Sequence, residues 1–345
     1  MPIVGGLDIH RQQITFDCVD TDTGELRRGK ICPADRPHLA RWLVARFPAG
    51  SQVDLALEGC TGWRYVSEEL AGAGVRPHLA EPAETAGLRG PRRHAKTDRA
   101  DAQHLRQLLI DGRLPECWIP PAHVLEARAL LQTYHDLRVA HTGWVQRVHA
   151  VLFHQGVPVL STALSTERGR AELAAVTAGQ LSPAGRTQIG VAVQMLAAVQ
   201  AQLDPLQHQL VVLARQLRGS RVLMERLYGV GPITGLALTC WLGGADRFSS
   251  ARKAVRFVGL DVTVYSSDGK RRPGHLSRQG PPVLRWCLFE AGHTHSRSTA
   301  PDHDYYTQVK DRVDGKRAAM SQARRLVRQA CHILTDLGDD ALVMT

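Results

Sequence analysis

Four carboxylates and a pair of serines carry the chemistry that this sequence could perform. Asp8 closes the short apolar run 3–9, and Glu58 closes a second such run, 53–58. Asp98 and Asp101 stand three residues apart in Lys96-Thr97-Asp98-Arg99-Ala100-Asp101, a spacing that puts both on one face of a helix. Carboxylates gathered in this way repel one another unless a hard cation neutralises them, and Mg²⁺ takes oxygen ligands of this kind. Two such ions about 4 Å apart stabilise the attacking and leaving oxygens of a phosphodiester. Singly, each residue has an ordinary explanation: a turn residue at a strand end, or a helix N-terminal acid favoured by the dipole.

The second constellation is the run 264–278, in which Ser266 and Ser267 precede Asp268-Gly269 and then Lys270, Arg271 and Arg272. A serine hydroxyl needs a base, a metal or a strong field to act as a nucleophile. Clustered cations stabilise the charge that develops at an attacked phosphate. Ser-Asp-Gly is equally the composition of a β-turn with solvent-facing cations. The charge distribution sharpens the choice. The 345-residue chain carries a formal +10, yet residues 1–120 hold 16 basic and 16 acidic side chains. The surplus lies further on, with 19 basic against 12 acidic residues in 221–345 and nine against two within 247–285. Such a segment is a solvated basic face or a surface that tracks phosphates. His275, His293, His295 and His303 lack the cysteine or acidic partners of a transition-metal site. Cys60, two residues after Glu58, reads as a small buried side chain.

The elements that must position these groups can be read from periodicity. Apolar or alternating runs at 3–9, 13–19 and 25–31 predict a three-strand meander. Helical spacing follows at 37–47, a buried strand at 53–58, a helix at 63–73, a short strand at 75–79 and a helix at 98–111. The order βββαβα(β)α is that of an RNase H-like mixed sheet, in which the first strand lies beside the fourth. The middle third is helical. Leu196, Val199, Leu203, Leu206, Leu210, Leu213 and Leu217 form a seam of alternating three- and four-residue steps, the pattern of a coiled coil or of two helices packed within one domain. Pro205 should start or kink a helix there. The Ser-, Thr-, Gly- and Pro-rich stretch 156–190 reads as a loop or hairpin tip. Gly229-Val230-Gly231-Pro232 can present amides to a phosphate, or simply make a tight helix–helix turn. The expected organisation is therefore α/β followed by α, with segments 1–120, 121–220 and 221–345.

Composition excludes several classes. At 43% hydrophobic and 22% charged residues the chain is neither collagenous nor disordered. No continuous apolar run approaches a membrane span, and the Met1-Pro2-Ile3 start lacks a signal-peptide layout. Seven scattered cysteines without a C-x-x-C argue against a zinc ribbon or disulfide framework and for a reducing cytoplasm.

Taken together, these blocks resemble the DEDD transposases of the IS-one-ten insertion-sequence family and the related Piv-type DNA invertases. The resemblance rests on Gly6-Leu7-Asp8-Ile9, Leu57-Glu58-Gly59-Cys60-Thr61-Gly62, Lys96-Thr97-Asp98-Arg99-Ala100-Asp101-Ala102, Gly229-Val230-Gly231-Pro232-Ile233-Thr234, Tyr265-Ser266-Ser267-Asp268-Gly269-Lys270 and Leu276-Ser277-Arg278-Gln279-Gly280. It implies a RuvC-like N-terminal domain whose Asp8, Glu58, Asp98 and Asp101 hold Mg²⁺, with Mn²⁺ as the substitute ion. It also implies central coiled-coil helices and a mainly helical C-terminal transposase domain whose serine forms a covalent phosphoserine link to DNA. Ser267 best matches the family's nucleophile, with Ser266 the fallback and Ser277 third; Lys270, Arg271, Arg272, Arg278 and Arg285 would contact phosphates. The implied partners are double-stranded donor and target DNA, a structured bridge RNA encoded by the element, and further copies of the chain, as a dimer to tetramer with a composite active site. The implied setting is the bacterial cytoplasm, on the nucleoid when acting, with no membrane. The sequence departs from the family in three places: Asp268 stands where glycine is usual, Gly259-Leu260-Asp261-Val262 replaces Gly-Leu-x-Pro, and Gly280-Pro281-Pro282 replaces a Gly-Asn pair. Two rival readings use the same residues differently. One is a RuvC-like nuclease with water as nucleophile; the other is a nucleic-acid-binding protein whose carboxylates are structural.

Overall fold

The computed structural model describes residues 2–48, 50–89, 97–158, 160–164, 166–177, 179–267 and 270–345, and the side chains of these except those of 2 and 264–273. The chain divides into two units, Met1–Ile119 and Pro120–Thr345.

The first unit is a mixed α/β layer structure. Its elements are β1 (Pro2–Ile9), β2 (Ile14–Asp20), β3 (Leu26–Ile31), α1 (Arg36–Arg46), β4 (Gln52–Glu58), α2 (Trp63–Gly72), β5 (Arg76–Ala80), α3 (Pro82–Gly87) and α4 (Asp98–Ile110). The sheet order is β3-β2-β1-β4-β5, so the first strand does lie beside the fourth, and α3 is the one addition to the expected series. β1 pairs antiparallel with β2 and parallel with β4.

The two faces of this sheet are built from different residues. Leu7 and Ile9 of β1 and Val53, Leu55 and Leu57 of β4 point to one side, where they bury with Leu39, Leu43, Val66 and Leu70 of α1 and α2. Each such side chain contributes about 1.5–3 kcal/mol of burial. The alternate positions face α4 and are small. Ala56 and Ala80 pack with Leu105 of α4, and Gly6 is Ala56's partner in the register. A Cβ at Gly6 would lie 2.1 Å from the Ala102 carbonyl oxygen and 2.7 Å from the Arg106 amide, so only glycine lets α4 cross β1 this closely. Asp17, opposite Gly6 on β2, is fully buried on the same face and binds Arg106 of α4 and Arg28 of β3, each at 2.6 Å. A buried carboxylate needs such partners, because an unpaired one is severely penalised. The pair fixes α4 along the strand direction as Gly6 fixes its depth.

The second unit is helical apart from one hairpin: α5 (Ala122–His154), α6 (Glu167–Thr177), α7 (Pro183–Gln216), α8 (Arg218–Arg226), α9 (Pro232–Leu242), α10 (Ala251–Phe257), β6 (Val262–Ser267), β7 (Lys270–Leu276), α11 (Pro282–His293), α12 (His303–Arg312) and α13 (Gly315–Leu337). α5 and α7 run antiparallel. Val148 and Leu152 bury with Ile189 and Ala192 at one end, and Tyr134 donates to Gln207 Oε1 at 3.3 Å nearer the other. The predicted leucine seam is thus at least partly used within the chain, with Val199, Leu203 and Leu210 buried. By length and composition alone α7 is apolar enough to cross a membrane; its apolar side packs on α5.

Two sequence expectations are narrowed here. The stretch 156–190 is not a loop: it holds α6 and the first turns of α7, which begins at Pro183 with Ser182 accepting from the Gly185 amide. Nor does Pro205 start a helix, because α7 continues through it. Pro205 and Ala201 are both exposed, so water can satisfy the carbonyl left without a helical donor.

Candidate active site

The acidic residues come together at one end of the sheet. Asp8 is the penultimate residue of β1 and Glu58 the last of β4, two residues beyond Gly6 and Ala56 respectively and so on the α4 side. Because α4 sits directly on Gly6, its first turn arrives at these strand ends. Thr97 caps α4, its hydroxyl accepting from the Ala100 amide, and Asp98 and Asp101 occupy the first turn, where the dipole favours negative charge.

Two side chains, His10 and Arg89, link these carboxylates in pairs, and the sequence reading named neither. His10 Nε2 lies 3.0 Å from Asp8 Oδ2 and 3.5 Å from Asp98 Oδ1, and Gln13 donates to the other Asp98 oxygen at 2.9 Å. Arg89 bonds Asp101 through Nη1 and reaches within 3.9 Å of Glu58 Oε1 through Nη2. Burial raises the Asp8 pKa, His10 opposes that, and the charges of Asp101 and Asp98 raise it further. Three acids therefore share one field. Cys60 also sits here, its Sγ 3.8 Å from the Ile9 carbonyl oxygen; burial raises its pKa, and Asp8 and Glu58 add to the rise. That suits a neutral thiol rather than a nucleophile.

The donor set fits a hard divalent cation. One atom each from Asp8, His10 and Asp98 lie within 4.8 Å of one another. The remaining donors are carboxylate oxygens, which Mg²⁺ prefers. Thr15, the register partner of Asp8, adds a buried hydroxyl with no hydrogen-bond partner.

The serine segment lies in the second unit. Its backbone is a two-stranded antiparallel hairpin, in which Ser267 is the register partner of Lys270 and Ser266 that of Arg271. Asp268 and Gly269, and the side chains of Ser266, Ser267, Lys270, Arg271 and Arg272, lie outside the described residues. The root of the hairpin is firmly held. Ser277 donates its hydroxyl to Asp261 and its amide to the Asp261 carbonyl oxygen at 3.0 Å, so this third serine is tied to the hairpin's base. Arg285 Nη1 donates to the Gly280 carbonyl at 2.7 Å, which gives Arg285 a structural task in addition to any contact with phosphate. Arg278 is exposed and holds a left-handed φ of 53°.

The comparisons with known proteins bear on this second unit first. Residues 221–307, from α8 through the serine hairpin and α11 into α12, match the family model described as Transposase IS116/IS110/IS902 family. A probable family 20 transposase of Pseudomonas aeruginosa is 24% identical over 290 residues, covering 81% of this chain and 82% of that protein. The transposase for insertion sequence element IS1111A of Coxiella burnetii is 22% identical over 315 residues, covering 89% of this chain and 81% of that one. Over most of its length the chain is similar to transposases, and its residues 221–307 carry the match to the IS116/IS110/IS902 family.

The serine hairpin, Arg278 and Arg285 lie inside the stretch that matches the family model, whereas the four acids lie before it. The Gly229–Pro232 turn, also inside it, works as a packing turn: a Cβ at Gly229, whose φ is +78°, would strike Thr294 Oγ1 at 2.2 Å and the Ala291 carbonyl at 2.9 Å. Sequence signals for His10 and Arg89 were weak. His10 follows Asp8 by two residues, and only the approach of α4 reveals its second acid.

Proposed function

We propose that this chain is an insertion-sequence transposase that cuts and rejoins DNA through Ser267, with Asp8, Glu58, Asp98 and Asp101 of a RuvC-like first unit holding Mg²⁺ or Mn²⁺. The observation that carries this reading is the convergence of Asp8, Asp98, Asp101 and Glu58 at one sheet end, with His10 between Asp8 and Asp98 and Arg89 between Asp101 and Glu58. Carboxylates gathered this closely raise one another's cost of ionisation, as Asp98 and Asp101 do for Asp8, and a hard cation relieves that cost. A bound divalent ion would polarise the scissile phosphate and stabilise the charge that builds on its oxygens. His10 holds Asp8 and Asp98 together, and Arg89 holds Asp101 near Glu58, so the ligand oxygens are oriented in advance. Ser267 Oγ forms a bond to phosphorus as the bond to one bridging oxygen breaks, and that strand departs as a free hydroxyl. A hydroxyl of the new partner strand then attacks the phosphoserine, which restores Ser267 and joins the strands. Lys270, Arg271, Arg272, Arg278 and Arg285 contact the backbone, which positions the strand without reading its sequence.

In this reading the acids and the serine belong to different units of the chain, as suits a composite site shared between subunits of a dimer or tetramer on paired donor and target ends. The element's own bridge RNA selects both DNAs by base pairing, while the protein recognises backbone shape. The test is covalent trapping. With Mg²⁺, RNA transcribed from the flanking sequence and a plasmid bearing the element's ends, the native chain yields a protein–DNA adduct and Ser267→Ala does not. An adduct at normal yield in Ser267→Ala but absent in Ser266→Ala moves the nucleophile by one residue. Cleavage without adduct in every variant replaces the serine by water.

A further inference from the structure

A cleft of about 400 Å³ opens at the root of the serine hairpin, where Val262, Gly274 and Leu276 face the α12–α13 hairpin. Its volume is that of an ordinary ligand site, and its charge is of one sign. Arg312 ends α12, while Arg317 and Arg324, seven residues apart on one face of α13, line the cleft beside it. Among the described residues the one carboxylate within ion-pair reach of these three is Asp314, 3.5 Å from Arg317 Nε. Asp261 lies close enough for its charge to be felt by Arg324, but it already accepts the Ser277 hydroxyl. Arg324 is fixed in place by donating Nε to the Leu260 carbonyl at 2.7 Å, at the residue before Asp261. Burial and the neighbouring Arg328 both lower its pKa, so an arriving anion would stabilise a cation that its surroundings disfavour. Three guanidiniums around one cleft suit the forked recognition of a phosphate better than isolated surface charges do.

The cleft's position suggests what the phosphate belongs to. From Val262 at the cleft to Ser267 at the strand's far end β6 takes five residue steps, or about 16 Å at roughly 3.3 Å each. A DNA strand advances about 3.4 Å per nucleotide, so a strand following the hairpin covers that distance in about five nucleotides. We propose that this cleft grips a backbone phosphate of the DNA strand on which the serine hairpin acts, about five nucleotides from the attacked phosphate, through Arg312, Arg317 and Arg324. The proposal rests on the reading above for the identity of that strand, and it adds an anchor on α12 and α13 to the contacts proposed for the hairpin.

The test needs neither metal nor cleavage, so its failure is separate from failure of the serine assignment. The full chain in EDTA is titrated with a short labelled DNA duplex, and with an RNA duplex in parallel, across a range of salt concentrations. Arg312→Gln/Arg317→Gln removes two exposed cleft cations; Arg138→Gln/Arg215→Gln removes two exposed cations of α5 and α7 and serves as the charge-matched control. Met320→Glu, which adds a carboxylate to the cleft lining and leaves all three arginines in place, is the second probe. Losing one phosphate contact lowers the salt slope by about 0.9, which is about eightfold in affinity at 0.1 M salt. Both cleft variants should show that loss on DNA, whether or not they also show it on RNA, and the control should stay within about twofold of the native chain. Cleft variants that bind DNA as tightly as the control, or a loss confined to RNA, would overturn the proposal.

Discussion

A methyl group added at Gly6 would lie 2.1 Å from the Ala102 carbonyl oxygen, 2.7 Å from the Arg106 amide nitrogen and 2.9 Å from Leu105 Cβ. None of these can rotate away, since two are backbone atoms of α4 and the third is fixed to that backbone. Ordinary contact begins near 3.4 Å, so α4 must withdraw by about 1.3 Å or the strand must bend. Overpacking of this kind costs about 1–3 kcal/mol, read as a lower urea midpoint at unchanged slope. The same withdrawal carries Asp98 and Asp101 from Asp8, and misplacement by about 1 Å costs on the order of 10²-fold in rate. Gly6→Ala should therefore lose both stability and nearly all adduct formation. Gly5→Ala is the control: its methyl would meet Cys18 Sγ at 2.5 Å and Leu55 Cδ2 at 2.7 Å, side-chain ends on the opposite face. It should destabilise while leaving α4 in place, so adduct yield per folded molecule is kept. A Gly6→Ala chain with native stability and native yield would refute the claim that close approach of α4 assembles the site.

The remaining predictions concern charge and burial. Arg106→Met strips the fully buried Asp17 of one partner and should cost about 3–5 kcal/mol in urea unfolding. Arg28→Met should cost less, because Arg28 is partly exposed and Arg106 remains. Burial pushes the thiols of Cys18, Cys240 and Cys287 up to about 12, so at pH 8 iodoacetamide should label exposed Cys32 and leave these three untouched in the folded chain. Hydrogen bonds from the Ser161 amide, and from Thr162 and the Ser161 hydroxyl, lower the Glu172 pKa to about 2. A depressed acid stabilises the fold above its unfolded value and loses that contribution as pH falls. Hydrogen exchange at residues 161–162 should thus speed up relative to the rest of unit two between about pH 4.5 and pH 2.

The strands and the first long helix were legible because their periodicity is local, and the adjacency of β1 and β4 followed from the order of elements. The same reasoning missed what depends on long-range packing. Asp17 alternates with apolar neighbours and so reads as a solvent-side residue, yet its partner Arg106 stands 89 positions away. Arg89 carries no signal of its own until α4 brings Asp101 beside it. The polar stretch before α7 misled for a different reason. Ser182-Pro183 is a turn pair, but serine as N-cap followed by proline in the first turn is also how a helix begins. Thr166, whose hydroxyl accepts from the Gly169 amide, does the same for α6.

The central claim is that the acids at the sheet end form a hard-metal centre, and metal binding tests it without DNA, RNA or a second subunit. Mn²⁺ is titrated into the full chain and the free ion is followed by electron paramagnetic resonance, with Asp8→Asn and Asp98→Asn beside the native protein and Cys60→Ser as the control. The account predicts saturable binding that either acid substitution weakens at least about tenfold and that Cys60→Ser leaves unchanged. Native affinity in Asp8→Asn and Asp98→Asn would contradict it.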